Sequence, residues 1–260
     1  MTYQHILSEL KDQVLYVTIN REQKLNALNK ETLAELADVI AFAAVNDEVR
    51  GILLTGAGEK AFVAGADIAE FADYNGQQGE ELARKGQESV FNAIANCPKP
   101  VVAAINGFAL GGGLELAMAC HIRVASDHAR LGLPETSLGL IPGYGGTQRL
   151  TQLVGKGRAL EMICTADMIT AAQAESIGLV NAVVPQGELM AKAESLLAKI
   201  TLRAPLAIAA AIKAVNAAAG SDENGFEKEI EEFGKCFNTL DFKEGTLAFL
   251  EKRKPVFTAK

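Results

Sequence analysis

A buried strand that runs directly into a glycine-rich helix start is the feature that most restricts how this chain can fold. Residues 101–105 are apolar, and residues 106–120 read Asn-Gly-Phe-Ala-Leu-Gly-Gly-Gly-Leu-Glu-Leu-Ala-Met-Ala-Cys. Three glycines at 111–113 open the helix, so the free N–H groups of its first turn can hold an anion or an oxyanion. A dinucleotide-binding G-x-G-x-x-G pattern fails because Leu116 stands at its third glycine. The alternative is that the glycines serve only the close packing of helix on strand.

Strands alternate with helices over most of the chain, which favours a layered α/β domain. Residues 6–10 and 14–19 are expected to form a hairpin, and Asn29 is placed to cap a helix. Short apolar strands are predicted at 51–55 and at 101–105.

From Thr170 onward the pattern is almost entirely helical. We therefore predict an α/β core over residues 1–186 that carries the active site, followed by a helical region over residues 187–260. Ile230, Phe233 and Phe237 recur on one helix face, which predicts that this helix packs against another surface.

Two glutamates lie in apolar surroundings. Glu115 falls in the first turn of the glycine-started helix, and Glu135 follows Pro134 in an apolar, turn-forming segment. Capping of a helix start is the simpler explanation for each, but a buried carboxylate is costly unless it is used or paired. Two carboxylates in one cleft cannot both ionise easily, so the pKa of at least one is raised, which supplies an acid and a base near neutral pH.

A third segment, residues 60–68, reads Lys-Ala-Phe-Val-Ala-Gly-Ala-Asp-Ile. Its small residues at 64–66 let the backbone lie against a ligand. Asp67 is expected to cap the helix that follows. The alternative to a ligand-binding segment is an ordinary loop that ends in this N-cap. Residues 73–86, rich in Gln and Gly, are expected to form part of an acyl pocket, with Gly79 in an outer loop, and a helix is predicted at 80–96.

Together these segments resemble the crotonase (enoyl-CoA hydratase) superfamily over nearly the whole chain. The motifs that carry the resemblance occur in the family's order: the coenzyme-A loop at 24–29, the two oxyanion segments at 64–67 and 111–115, the second acid with its following turn at 134–135 and 141–147, and the closing motif at 249–257. The resemblance implies a spiral of ββα units with an α-helical C-terminal trimerisation region, and a homotrimer or homohexamer.

The resemblance also implies the chemistry. The N–H groups of Ala66 and Gly112 would form an oxyanion hole for a thioester carbonyl. Glu115 would take a proton from water that attacks the β-carbon, Glu135 would deliver a proton to the α-carbon, and the N–H of Gly143 would help hold the water. The other implied substrate-binding residues are Lys24, Leu25, Ala27, Ala64, Asp67 and Ile68.

The implied reaction is the reversible hydration of a trans-2-enoyl-CoA of short to medium chain length. Coenzyme A is part of this acyl-CoA substrate, so no cofactor is expected, and the three histidines lack metal-ligand spacing. The alternative is an enoyl-CoA isomerase or another acyl-CoA lyase of the same family. The net charge of −7 argues against RNA binding, and the pair of acids argues against a purely structural scaffold.

Two positions depart from the family pattern. His121 stands where an aspartate is common, and we expect a structural histidine at a strand end. Ala69 stands where many relatives have a lysine, so one phosphate contact would be missing. No apolar run approaches the roughly 18 residues that span a membrane. Four dispersed cysteines without a C-x-x-C pair indicate a reducing, cytoplasmic location.

Overall fold

Between residues 51 and 132, successive strands of the chain alternate between two sheets. The computed structural model describes residues 3–218 and 224–260. Its strands are β1 (Ile6–Lys11), β2 (Val14–Ile19), β3 (Gly51–Gly56), β4 (Ala61–Val63), β5 (Val101–Ile105), β6 (Phe108–Leu110), β7 (Ile122–Ser126), β8 (Arg130–Gly132), β9 (Ile169–Thr170) and β10 (Ala182–Val184).

The helices cover the sheets and extend beyond them at the C-terminal end. They are α1 (Lys30–Val45), α2 (Gly76–Gly86), α3 (Asn92–Ala95), α4 (Gly112–Ala119), α5 (Gly146–Val154), α6 (Lys156–Thr165), α7 (Ala171–Ser176), α8 (Leu189–Thr201), α9 (Pro205–Ala217), α10 (Gly225–Cys236) and α11 (Leu240–Leu250). One turn of π-helix, Gln87–Phe91, joins α2 to α3, and short 3-10 helices include Ile68–Glu70 and Pro134–Leu138.

The larger sheet has six strands in the order β1-β2-β3-β5-β7-β10, and the smaller has four in the order β4-β6-β8-β9. Strands β3, β5 and β7 pair in parallel in the first sheet, while the strand after each of them, β4, β6 and β8, pairs in parallel in the second. Each turn of chain thus adds one strand to each sheet before a helix returns. The predicted α/β spiral of ββα units is confirmed, as is the antiparallel β1–β2 hairpin.

Two buried asparagines hold the turns that link the sheets. Asn106 Nδ2 donates to the carbonyls of Gly56 and Gly58 at 2.9 and 2.6 Å. Asn26 Nδ2 donates to the carbonyls of Ala57 and Ala61 at 2.9 and 2.8 Å. Because buried carbonyls without partners are costly, these side chains stabilise the 56–61 crossover from which β4 starts.

Helix α1 begins as predicted, because Asn29 Oδ1 accepts from the N–H of Thr32 at 3.0 Å. The helix predicted at 80–96 is confirmed but begins four residues earlier, at Gly76, so the expectation that Gly79 lies in an outer loop is wrong. A capping box explains this early start: Asn75 and Gln78 each accept from the other's N–H, at 3.0 and 2.9 Å.

Helix α8 covers the outer face of the six-stranded sheet, where Leu189, Ala193 and Leu197 pack with strand residues that include Leu53 and Val102. The division of the chain near residue 186 stays a prediction. Of the helices in the described ranges, none alone is long and apolar enough to cross a membrane. One pair, Gln186–Thr201 with Pro205–Ala217, meets the requirement of length and composition together, with a bend of 109° between the two.

Candidate active site

The start of α4 lies against β4 at a distance that only glycine permits. A Cβ on Gly113 would be 2.0 Å from the carbonyl oxygen of Val63, and Gly111 has φ +50° and ψ −125°. The first hydrogen bond of the helix runs from the N–H of Glu115 to the carbonyl of Gly111, at 2.9 Å. The N–H of Gly112 therefore has no acceptor within the helix and remains available to a ligand.

The N–H group of Ala66 lies close to that of Gly112. Leu28 and Ala66 form a parallel bridge, in which the N–H of Leu28 donates to Gly65 at 2.8 Å and the N–H of Asp67 donates to Leu28 at 2.7 Å. This pattern turns the N–H of Ala66 away from Leu28. A Cβ built on Gly112 would lie 3.7 Å from Ala66 N, so the predicted pair of donors is adjacent.

The bridge also joins the two segments predicted to bind coenzyme A. Leu25 and Asn26 have φ of +49° and +59°, which bends the loop so that the carbonyl of Leu25 accepts from the N–H of Ala64 at 3.0 Å. Lys24, Leu25 and Ala27 therefore lie along the same edge as Ala64, Asp67 and Ile68. Lys24, Leu25 and Ile68 are exposed, as contacts for a large polar ligand would be.

The expectation that Asp67 caps the next helix is wrong. Asp67 precedes the short helix Ile68–Glu70, but its side chain makes no capping hydrogen bond. Instead, its carboxylate pairs with the guanidinium of Arg21 at 3.1 Å, and the other terminal nitrogen of Arg21 donates to the carbonyl of Ala27. The Arg21–Asp67 pair thus ties the coenzyme-A loop to the first oxyanion segment.

Glu115 is buried, with 1% of its surface exposed. Its Oε1 accepts from the N–H groups of Tyr144 and Gly146, at 2.8 and 2.7 Å. Burial raises the pKa of Glu115 to about 7, and the charge of Glu135 adds to this, while the two N–H groups and Arg149 act in the opposite direction. A carboxyl group with this pKa exchanges protons readily near neutral pH.

Glu135 lies on the 3-10 helix Pro134–Leu138, across Gly111 from α4. A Cβ on Gly111 would be 2.8 Å from its Oε1. Its Oε2 is buried and has no hydrogen-bond partner in the parts of the chain that the structure describes. Burial raises the pKa of Glu135, which favours the protonated form of this carboxyl group.

One cavity of about 250 Å³ brings the predicted residues together. Its lining includes Ala66, Gly112, Glu115, Glu135 and Gly143. The remaining walls are mostly apolar and come from four segments: Ala64, Gly65, Ile68 and Phe71; Gly79, Leu82 and Ala83 of α2; Leu110 and Gly111; and Pro134, Leu138, Leu140, Ile141 and Tyr144. A larger cavity of about 700 Å³ lies between α1 and α2 and contains neither glutamate.

Sequence reasoning missed the residues that hold Glu115. It gave the N–H of Gly143 a role in holding the water, but it assigned no role to Tyr144 and Gly146, whose N–H groups bond to the carboxylate. It also missed Arg149, whose guanidinium donates to the carbonyl of Tyr144 at 2.8 Å. The run Gly145-Gly146 just before a helix was the available signal, since such turns expose consecutive N–H groups.

His121 has a structural place at the start of β7, as expected. Its Nδ1 accepts from the N–H of Val101 at 2.9 Å, so Nε2 carries the proton and donates to the carbonyl of Ala95 at 3.1 Å. Burial lowers the pKa of His121, which keeps the ring neutral. In the described ranges no three His, Cys, Asp or Glu side chains converge as metal ligands would; that the enzyme needs no metal or cofactor stays a prediction.

The sequence matches the profile of the enoyl-CoA hydratase/isomerase family over residues 9–260. The chain belongs to this family. Among relatives of the enoyl-CoA hydratase/isomerase family, it is 48% identical to short-chain-enoyl-CoA hydratase of Clostridium acetobutylicum, covering 98% of this chain and 97% of the relative. It is 45% identical to crotonyl-CoA hydratase of Syntrophomonas wolfei, over the full length of both.

The fold agrees with solved structures of the enoyl-CoA hydratase/isomerase family. The crystal structure of enoyl-CoA hydratase from Bacillus anthracis superposes with a TM-score of 0.91 at 40% identity, covering 99% of this chain and 100% of that one. The resemblance inferred from the motifs is therefore confirmed.

The raised pKa of Glu115 has a consequence for stability. The folded protein holds a proton on Glu115 up to about pH 7, whereas an unfolded glutamate releases it near pH 4.5, so unfolding becomes easier as the pH rises between these values. We expect Glu115→Gln, which cannot ionise, to raise the free energy of unfolding at pH 8 by roughly 3 kcal/mol, since each pKa unit is worth about 1.4 kcal/mol.

The measurement is urea unfolding at equal protomer concentration at pH 8 and pH 4.5, with Glu161→Gln on the exposed face of α6 as the control. The gain from Glu115→Gln should disappear at pH 4.5. An equal gain at both pH values would show that ionisation of Glu115 is not its cause.

Proposed function

We propose that this enzyme reversibly adds water across the double bond of a short trans-2-enoyl-CoA. The observation that carries the proposal is that two carboxyl groups and two free backbone N–H groups line one small, largely apolar cavity. The names of the two relatives described above, one a short-chain-enoyl-CoA hydratase and one a crotonyl-CoA hydratase, support the same substrate class.

The N–H groups of Ala66 and Gly112 polarise the thioester carbonyl in this proposal. Attack at the β-carbon moves negative charge onto the thioester oxygen, which lies between the two donors. Such a donor contributes about 3–4 kcal/mol to the transition state, because it is fixed before the reaction and shielded from water. Gly112 leaves the space between the donors open, which is where that oxygen must lie.

Glu115 and Glu135 divide the proton transfers. Glu115 accepts two N–H hydrogen bonds that stabilise its charged form, and we assign it the removal of a proton from the attacking water. Glu135 has a buried oxygen without a partner, which favours its neutral form, and we assign it protonation of the α-carbon. Gly143 lines the cavity between the loop and α2, where its N–H would help hold the water.

Coenzyme A would lie along the edge formed by residues 24–27 and 64–68. The loop and the oxyanion segment already share backbone hydrogen bonds there, so the binding edge is preformed. Lys24 is exposed at this edge and is our candidate phosphate partner. The cavity of about 250 Å³ suits a short acyl group, such as a four-carbon crotonyl chain, with the coenzyme outside.

Replacement of either Glu115 or Glu135 should remove most of the hydratase activity. We expect Glu115→Gln and Glu135→Gln each to lower kcat for crotonyl-CoA hydration by at least ~100-fold, the usual scale for a positioned acid or base. The double variant should be little worse than the slower single variant, because the two groups act together in one addition of water across the double bond. Loss of the conjugated thioester absorbance gives the rate, and ¹⁸O from labelled water at the β-carbon identifies hydration.

Glu161→Gln is the matched control and should keep wild-type activity. A product that has moved its double bond without taking up ¹⁸O would instead establish the isomerase alternative. A single variant with near-wild-type kcat would remove that glutamate from the mechanism.

The oxyanion hole can be tested by filling it. Alanine at 112 fits the free protein, because its Cβ would lie 3.6 Å from Leu28 and Tyr144 and 3.7 Å from Ala66 N, which are ordinary contacts. Its methyl group would occupy the space meant for the thioester oxygen. We expect Gly112→Ala to fold normally and to lose about 100- to 1,000-fold in kcat/KM, the scale of one lost oxyanion donor.

Two further glycine variants serve as controls, one expected to be harmless and one expected to prevent folding. Gly157→Ala on α6 has no atom within 4 Å of the new Cβ and should leave activity and stability close to wild type. Gly113→Ala would force a Cβ against the carbonyl of Val63 and should prevent folding. Full activity in folded Gly112→Ala would show that the thioester is polarised elsewhere.

We also propose that the C-terminal helices assemble the enzyme into a trimer or a hexamer of two trimers. Phe226, Ile230 and Phe233 on α10 are 81, 62 and 65% exposed in the single chain, a large apolar surface for a monomer. Phe233 and Phe237 pack edge to face at 5.1 Å, so the surface is ordered rather than a set of loose side chains. A cytoplasmic location stays a prediction.

Light scattering tests the assembly. We expect the wild type at micromolar concentration to have the mass of three or six chains, and Phe233→Glu to dissociate, because the new charge would be buried without a partner. Val45→Glu on α1, an equally drastic change at an 82% exposed position, should leave the mass unchanged. A monomeric wild type would contradict the proposal.

A further inference from the structure

The π turn that follows α2 contacts the loop that holds Glu115. Within this turn, Gln87 Nε2 donates to the carbonyl oxygen of Gly143 at 2.7 Å. The carbonyl of Gly143 and the N–H of Tyr144 belong to the same peptide group. That N–H donates to Glu115 Oε1 at 2.8 Å, so one rigid group lies between Gln87 and the carboxylate.

A peptide group is planar, so fixing its oxygen also fixes the direction of its N–H. A hydrogen bond to the oxygen polarises the group and strengthens the bond that its N–H donates, since hydrogen bonds in a chain reinforce one another. Single π turns inside helices are rare and occur often at functional sites.

We propose that Gln87 is a positioning residue for Glu115, acting through the peptide group between Gly143 and Tyr144. The inference rests on the proposed role of Glu115 as the base in enoyl-CoA hydration. Gln87 itself does not line the catalytic cavity, so its effect on the reaction is transmitted through the loop.

The same segment supports the next part of the loop. Arg149 donates to the carbonyl of Tyr144 and to Asn92 Oδ1, both at 2.8 Å, which joins the loop to the start of α3. The ring of Phe91 stacks on the ring of Tyr144 with centroids 4.6 Å apart. Gln87 is therefore one of several contacts, and its removal should loosen one peptide group without unfolding the loop.

Among the residues that the structure describes, three ionisable groups face Glu115. Glu135 comes from the 3-10 helix, Arg149 from α5 and Tyr144 from the loop. The packed segments α3, β4 and β6 carry no ionisable side chain, and Glu88 of the π turn is exposed. None of the three facing groups changes when a neutral residue replaces Gln87, so a shift in the titration of Glu115 would then report on the hydrogen bonds to its carboxylate.

Gln87→Met tests the inference, because methionine keeps the length of the side chain and removes the donor. The N–H bond to Glu115 weakens, the charged form of Glu115 loses stabilisation, and its pKa rises further. The acidic limb of the kcat/KM profile should move to higher pH. We expect a loss of about 5- to 10-fold at pH 6 and of about 2-fold or less at pH 9, the scale of one weakened hydrogen bond.

Two further variants sharpen the test. Gln77→Met, on the exposed side of α2 toward the larger cavity, is the matched control and should give the wild-type profile. Gln87→Glu places a charge that repels the carbonyl of Gly143 and should move the limb further than Gln87→Met. Melting temperatures of all the variants establish that they are folded.

A readout that does not need turnover separates this inference from the proposed function. The ¹³C resonance of the Glu115 side-chain carboxyl, assigned by its absence in Glu115→Gln, gives the pKa directly. A higher pKa in Gln87→Met would support the positioning role even in the absence of hydration, whereas failure of the wild type to hydrate crotonyl-CoA would refute only the proposed reaction. An unchanged pKa, or an activity loss that is uniform across pH, would overturn the inference.

Discussion

The close contact between the backbone of α4 and the carbonyl of Val63 is the constraint on which the rest of the site depends. It requires Gly113, and it brings the first turn of α4 next to the oxyanion segment, so that the N–H groups of Gly112 and Ala66 become neighbours. It also carries Glu115, three residues into the helix, into the interior. The proposed oxyanion hole and the burial of Glu115 thus share one cause, the fit of a glycine-started helix onto a short strand.

That burial sets the electrostatics of the cavity. A carboxylate surrounded by apolar walls would be neutral at pH 7 without compensation, and the N–H groups of Tyr144 and Gly146 supply part of it. Within residues 3–218 and 224–260, Glu115 has no salt bridge to a lysine or arginine, whereas Asp67 has one to Arg21. The free energy of unfolding is lower because the buried Glu115 lacks a salt bridge. For the same reason, Glu115 can change its protonation state during a reaction.

Much of this arrangement could be predicted from the sequence, because it depends on local patterns. The glycines at 111–113 predicted the helix start, and the apolar neighbours of Glu115 predicted its burial, since both properties follow from adjacent residues. The alternation of strands and helices predicted the α/β core, and the family motifs specified the spiral that places Glu135 near Glu115. That placement depends on a chain path that periodicity alone does not determine.

The interactions that the sequence did not predict mostly join residues that are far apart along the chain. Asp67 was expected to bond to its own helix, but its partner, Arg21, is 46 residues away, and no local pattern indicates such a pair. Gln87 contacts Gly143 across 56 residues, and the π turn that presents it has no sequence signature comparable to a capping box. The capping box at Asn75 was present in the sequence and was overlooked because the surrounding Gln and Gly residues resemble a loop.

The use of backbone N–H groups at both the proposed oxyanion hole and the Glu115 carboxylate affects how this enzyme can change by mutation. None of the four donors belongs to a side chain, so no replacement of a polar residue deletes one of them. Their positions depend instead on the absence of side-chain atoms at Gly111, Gly113 and Gly146, where an added Cβ would lie within 3 Å of Glu135, Val63 or Glu115. Replacement of a nearby polar side chain can weaken one of these donors, as proposed for Gln87, but cannot delete it. A single added methyl group at one of these glycines can displace a donor, so the four N–H groups are more sensitive to changes in side-chain volume than to changes in polarity.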